Sequence, residues 1–299
     1  MKPVGIITDS CSGISQKEAS ERGIFVLPMP FYVEGHCLYE GVDLDRDEFL
    51  EKLKAGADVS TSQPSPAEVT ALWDQALSQY EKVLYMPISS GLSGSCETAF
   101  ALARDEKYEG RILVVDHGQV ATPLHRMVLD ALELAEQGYT AEEIRDLLEQ
   151  ASDQMMIYIG VQTLEYLKKG GRITLAAAAL GSVFNIKPVL KLSTGKLDSY
   201  KKCHGFLKAR KTMIDAMKHE IETRFQEAYE AGAVHILAAS SASQEETESW
   251  IKEIEVAFPG KQVMCDPLSL GVSCHIGPGG LGIGCAVRPD YGTVRRKEG

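Results

Sequence analysis

Hydroxyl side chains gather in one polar run, Thr61-Ser62-Gln63-Pro64-Ser65-Pro66, set between two stretches of helical character. Ser65 reads as an N-cap, with Pro66 at the first helical position and Glu68 three residues after the cap, which is the capping-box pattern. A loop entering such a helix offers hydroxyls and free backbone N–H groups at the positive end of the helix dipole. That chemistry suits a carboxylate or a phosphate, although the same residues also make an ordinary turn. Residues 89–95, 170–174 and 271–284 are likewise rich in hydroxyls and glycine. In one of them Gly170-Gly171-Arg172 sets a guanidinium directly after a glycine turn, and its fixed fork of donors matches carboxylate or phosphate as well as serving at a surface. In another, His275 precedes Gly277-Pro278-Gly279, where an imidazole can donate to a carboxylate or make a structural hydrogen bond.

Two enzyme patterns are weaker. Gly91-Leu92-Ser93-Gly94-Ser95 approaches a nucleophile elbow, and Asp266 and His275 follow in triad order. The second elbow glycine is missing, however, and Ser93 lies well past the strand expected to end near Met86. An anion-binding helix start fits Ser93 better, and a serine esterase using Ser93, His275 and Asp266 is the enzyme alternative. Gly277, Gly279 and Gly282 satisfy GxGxxG, but no helix is expected after them, so no nucleotide fingerprint is expected either. The seven cysteines are scattered, and Cys265, Cys274 and Cys285 lack close pairing. Neither a disulfide framework nor a metal site is expected, and no cofactor.

The elements that must position these residues change rhythm midway. Short apolar strands near residues 4–8, 24–28, 82–86 and 112–115 alternate with amphipathic helices, the signature of an α/β domain whose parallel sheet is covered on both faces. Ligands in such sheets sit beyond the carboxyl ends of the strands, where Thr8-Asp9-Ser10, residues 89–95 and Asp116-His117 fall. Residues 31–33 and 36–39 read as a hairpin or an edge excursion. From Met155 onward, a hairpin over residues 189–202, one long helix over 207–230 and further strands and helices predict an α+β domain with a mixed or antiparallel sheet. The expected division is 1–153, 154–289 and a polar tail at 290–299. A length of 299 residues suits two domains, and a net charge of −11 argues against nucleic acid as a partner. No leader-like segment or apolar run of about 20 residues is present, so a cytoplasmic location is expected.

Taken in order, Thr8-Asp9-Ser10, residues 61–65, Gly91-Leu92-Ser93-Gly94, Leu164-Glu165-Tyr166-Leu167-Lys168-Lys169-Gly170-Gly171-Arg172, Ile186-Lys187-Pro188 and His275-Ile276-Gly277-Pro278-Gly279 resemble the DegV family of bacterial fatty-acid-binding proteins. The resemblance runs to about Pro289. It implies one long-chain fatty acid, its tail buried in the C-terminal domain and its carboxylate at the domain interface. By residue matching, Thr61, Ser62, Ser93 and His275 contact the carboxylate, with Arg172 close by to support phosphoryl transfer. Ile157, Ile159, Ala176, Leu180, Phe184 and Ile186 are the expected acyl-chain pocket, since the small side chains of the alanine run leave room for an apolar tail. The family's partner is a fatty acid kinase that holds the nucleotide and metal, so the chain itself is expected to be a carrier and not an enzyme, with transient membrane contact allowed for ligand exchange. Two departures bear on that partner. His204 stands where many members have an arginine, and His117 follows Asp116 where serine is usual. A regulatory interaction module whose lipid is only structural is the third reading.

Overall fold

The computed structural model describes residues 1–40, 42–178, 186–193 and 196–291. Its first strands are β1 (Lys2–Asp9), β2 (Phe25–Leu27), β3 (Pro30–Val33), β4 (His36–Tyr39), β5 (Val59–Thr61), β6 (Tyr80–Met86) and β7 (Ile112–Val114). The later strands are β8 (Met155–Gly160), β9 (Ile186–Ser193), β10 (Lys196–His204), β11 (Val234–Ser240), β12 (Val263–Pro267) and β13 (Leu281–Val287). They form a four-stranded sheet in the order β2-β1-β6-β7, a six-stranded sheet in the order β10-β9-β8-β13-β11-β12, and a three-stranded sheet in the order β4-β3-β5. The four-stranded sheet is wholly parallel. In the six-stranded sheet only β11 and β12 run parallel. The chain is therefore an α/β protein that combines a parallel sheet with a mixed one.

Strands of the parallel sheet are buried on both faces, which is why they read as continuous apolar runs. Ile6, Leu84 and Leu113 pack on one side under the helices Ala121–Glu136 and Ala141–Gln150. On the other side Ile7, Val83 and Tyr85 meet Trp73 and Ala76 of the helix Pro66–Leu77. The capping box expected at Ser65/Glu68 forms, and others form at Thr140/Glu143 and Ser243/Glu246, each satisfying N–H groups that a helix start leaves open. Within the mixed sheet, β13 comes last in the chain yet lies in the interior between β8 and β11.

Three elements differ from the sequence reading. Val59–Thr61 is a strand that pairs with β3, so the hairpin is part of a small sheet and Thr61 is held by it. The glycine-rich stretch 271–284 is not one loop: Leu270–Ile276 is a helix and Leu281–Val287 a strand. Its many glycines masked both elements. The long helix stops at Thr223 and resumes over Gln226–Glu230, because Phe225 turns inward (φ −118°, ψ 13°) and is buried in the core under the mixed sheet.

Candidate functional site

In the parallel sheet, β1 and β6 are neighbours whose next connections lead to opposite edges, and ligands gather at such a switch point. The loops that leave their carboxyl ends are joined there, with the Ile88 N–H donating to Asp9 Oδ2 at 2.7 Å. Beside this point lies a cavity with about 970 Å³ of empty space, its open mouth included. Thr61, Ser62, Ser93, Arg172 and His275 all line it. Its remaining walls are almost wholly apolar, with Ile157, Ile159, Leu192 and Leu197 from the mixed sheet and Met29, Ile88, Val120 and Ala121 from the first half of the chain. No carboxylate lines it among the described residues, and Arg172 is its one described cation.

Each polar group is positioned by its own local structure. Thr61 ends β5 opposite Phe31, and the Ser62 N–H donates to Pro30 O at 3.3 Å. Ser93 closes a turn in which Ser89 O accepts from the N–H groups of Leu92 and Ser93. Its hydroxyl accepts from the Ser95 N–H at 3.2 Å and lies 2.5 Å from Ser95 Oγ. Arg172 Nε donates to Leu92 O at 3.1 Å and Nη1 to Gly170 O, which leaves further guanidinium N–H groups open. His275, near the end of the helix Leu270–Ile276, places Nε2 2.9 Å from Thr61 Oγ1.

Two glycines make room for this arrangement. A Cβ on Gly170 would lie 1.9 Å from His275 Nδ1, so only glycine lets the imidazole sit there. Gly277, with φ +77°, ends the His275 helix where a Cβ would strike the Tyr166 ring at 2.4 Å. Burial, assisted by the charge of Arg172, pushes His275 down to about 4, so its ring is neutral at physiological pH. With the single N–H on Nε2, His275 donates to Thr61 and the Thr61 proton is left for an acceptor in the cavity. Hydroxyls, a neutral imidazole and one guanidinium thus face the same space, a donor-rich end that favours an anion.

The esterase constellation is not assembled. Asp266 Oδ2 lies 3.0 Å from His125 Nδ1, while His275 is engaged with Thr61 and Ser93 with Ser95. Among the described residues no group of three or more His, Cys, Asp and Glu side chains is set to hold a metal ion. Of the expected acyl-pocket residues, Ile157 and Ile159 line the cavity. Ala176 faces solvent, and its neighbour Ala177 is the one packed inward, against the cluster that contains Ile159 and Leu167. Ile186 is half-buried at the start of β9 and is not among the lining residues. Leu180 and Phe184 lie outside the described residues. Sequence reading missed Cys11 and Ile88, although each adjoins a loop it had marked, and Leu167, which stands inside a quoted motif. Ala239 and Leu268 carried no signal, because only the tertiary fold brings them to the cavity.

The model of the DegV family matches residues 3–288. The chain belongs to the DegV family. A DegV domain-containing protein of Deinococcus radiodurans is 32% identical over 282 residues, covering 94% of this chain and 97% of that protein. Another, from Caldanaerobacter subterraneus, is 29% identical over 287 residues, with 95% and 98% covered. Among solved structures, a fatty-acid-binding DegV family protein of Thermus thermophilus aligns with a TM-score of 0.85 at 29% identity, over 95% of this chain and 99% of that one. The DegV fatty acid binding protein of Bacillus subtilis shares the fold with a TM-score of 0.81 at 24% identity, over 96% and 100%. No helix of the described residues is long and apolar enough to cross a membrane.

Proposed function

We propose that this protein binds one long-chain fatty acid and presents it to a fatty acid kinase for conversion to an acyl phosphate. The observation that carries the reading is the composition of a single cavity: Thr61, Ser62, Ser93, Arg172 and His275 at one part of its wall, and apolar side chains over nearly all the rest. The donor-rich part matches a carboxylate. Each methylene of the tail taken from water adds about 0.8 kcal/mol, so the apolar wall dominates affinity while the donors fix orientation. The binding named for the Thermus thermophilus relative supports the ligand class.

In this reading Thr61, Ser62, Ser93 and His275 orient the carboxylate and leave one oxygen open to the kinase. Arg172 steadies the charge that builds on that oxygen during transfer, and the kinase supplies the nucleotide and its metal. Residues 1–153 and 154–289 act as the two domains that meet at the carboxylate, and the protein works in the cytoplasm, touching membranes transiently as ligand exchanges. His204, exposed at the end of β10 and paired there with Ile186, takes the place of the partner-contacting arginine.

Native and denaturing mass spectrometry of protein purified without added lipid tests the ligand. A non-covalent mass equal to a fatty acid, released on denaturation, is expected. A protein that stays empty and takes up none of several C14–C20 acids overturns the reading. With ligand bound, Arg172→Ala lowers acyl phosphate formation by ~100-fold, the order expected for one transition-state donor. It weakens binding only a few-fold, through the slackened Leu92 loop. Normal turnover removes the electrostatic role of Arg172.

A further inference from the structure

Thr61 and His275 meet from two elements that are fastened to a common anchor, the turn of Ser240, Ser241 and Ala242 at the carboxyl end of β11. Ser240 O accepts from the Leu268 N–H at 2.8 Å, just ahead of the helix Leu270–Ile276 that carries His275. Ser241 Oγ donates to Gly277 O at 2.7 Å, at the residue that ends this helix, and accepts from the Gly280 N–H at 2.9 Å. Its main chain joins the same turn, with the Gly279 N–H donating to Ser241 O at 3.0 Å and the Ser241 N–H to Gly280 O at 2.9 Å. A Cβ on Gly280 would lie 2.9 Å from Ser241 Oγ and 2.4 Å from Ile276 Cγ2, so a glycine makes this approach possible. Two successive buried serines thus grip the His275 helix at both ends, and neither is among the residues lining the cavity.

Thr61 reaches the same anchor through Arg46. The helix Arg46–Lys54 lies on the small sheet that ends in Thr61: Phe49, Leu50 and Leu53 share one apolar cluster with Phe31 and Val59, and Phe31 stands opposite Thr61. Arg46 precedes Phe49 and Leu50 by three and four residues, which puts it on the same helix face. Its Nη2 donates to Ser240 O at 3.2 Å and to Ala242 O at 3.0 Å, two N–H groups of one nitrogen on the two carbonyls that flank Ser241. The small sheet also meets the His275 helix directly. Leu270 and Cys274 join its apolar cluster, a contact without direction that leaves sliding open. Glu40 Oε1 accepts from the Leu270 N–H at 2.8 Å, which fixes the helix start, five residues before His275. The Arg46 bonds are directional and charge-assisted, and they act on the turn that also holds the helix end.

We propose that Arg46 and Ser241 are positioning residues for the carboxylate site: through the turn 240–242 they hold the small sheet and the His275 helix in the one register that closes the Thr61–His275 bond. Both act through that pair. That the register orients a carboxylate rests on the fatty acid reading, and that it depends on Arg46 and Ser241 does not. Removing the guanidinium leaves the buried Ala242 carbonyl without this donor and frees the small sheet from the turn. Removing the Ser241 hydroxyl releases Gly277 O and the Gly280 N–H together, so the helix end loses its tie to β11. Either loss separates Thr61 Oγ1 from His275 Nε2, which now stand 2.9 Å apart.

Exchange of the His275 ring N–H is followed by NMR on the full chain with isotope-labelled histidine, where His275→Asn identifies the resonance by its loss. In wild type the proton is expected to exchange slowly, because Thr61 accepts it. Arg46→Ala and Ser241→Ala each speed its exchange by ~10-fold or more, the weight of a hydrogen bond lost. Arg46→Lys restores slow exchange, since an ammonium carries the same charge and a donor for each carbonyl. An unchanged rate in both alanine variants overturns the proposal, as does an Arg46→Lys protein that exchanges as fast as Arg46→Ala. Affinity for oleate is measured on the same proteins. Arg46→Ala lowers it by ~10-fold in the wild-type background and by less than ~2-fold beside Thr61→Ala, where the pair is already gone. If oleate binds and the two losses add in full, the carboxylate half is overturned. If oleate binds to no variant, wild type included, while the ring proton still follows Arg46, the fatty acid reading falls and the anchor stands.

Discussion

The two kinds of wall in the cavity are built by opposite strategies. The polar one draws Thr61, Ser62, Ser93, Arg172 and His275 from four separate stretches of chain, and each is fixed by local hydrogen bonds: a small sheet, a tight turn, a glycine turn and a short helix. The apolar one is the face of a sheet, with Ile157 and Ile159 two residues apart on β8 and Leu192 on neighbouring β9. The first depends on orientation within a few tenths of an ångström, the second on excluding water over an area. Losses at the polar wall should therefore be partial and confined to the hydrogen-bonded unit that is broken, whereas a single charge on the apolar wall should cost far more.

The largest effect is expected from Ile159→Asp, which puts a carboxylate into a wall that is otherwise apolar. Fatty acid affinity falls by ~100-fold or more, because an unpaired charge there must be desolvated. Equilibrium binding measures it, circular dichroism verifies folding, and Ile159→Ala, which loses only methylenes, drops affinity far less. Next comes Gly170→Ala. Its added methyl occupies the place of His275 Nδ1, so the imidazole must leave Thr61. Affinity falls by ~10-fold, the weight of about one hydrogen bond. In a double-mutant cycle Thr61→Ala then adds little in the Gly170→Ala background, since the pair is already broken. Full additivity in that cycle erases the claim that Thr61 and His275 act together.

The smallest effect is on stability against pH. His275 and His117 are each lowered from 6.5 to about 4 by burial, so the folded state holds them neutral while the unfolded chain protonates them. Their contribution is complete above pH 6.5 and is lost as pH falls toward about 4. Thermal unfolding of wild type and His275→Asn between pH 7 and 4.5 is expected to converge on the acid side. Parallel curves contradict the buried, neutral imidazole.

How much of this was legible in the sequence follows from the same contrast. Polar side chains in glycine-rich loops announce themselves, because hydroxyls, a guanidinium and an imidazole are conspicuous where no core needs them. The parallel sheet was equally plain, since strands buried on both faces leave unbroken apolar runs such as Gly5-Ile6-Ile7. The apolar wall was only half legible. Ile157 and Ile159 stand out on their strand, but Ala176 and Ala177 are chemically alike, and only packing decides which of them turns inward. Ala239 and Leu268 reach the cavity through contacts between elements far apart in sequence, which periodicity cannot register. The helix under His275 stayed hidden for a different reason: Gly271 stands in its first turn and Gly277 ends it, and propensity alone reads such a stretch as loop.

Strand β13 carries one more consequence. It lies between β8 and β11 although it is the last strand in chain order, and the His275 helix immediately precedes it. On the ribosome, β8 and β11 emerge with their shared neighbour still unmade, and the imidazole arrives only just ahead of β13. The mixed sheet therefore closes after its other strands have been synthesised, and a nascent chain has neither the finished apolar wall nor the donor opposite Thr61. A chain that stops before β13 therefore lacks the central partner of β8 and β11.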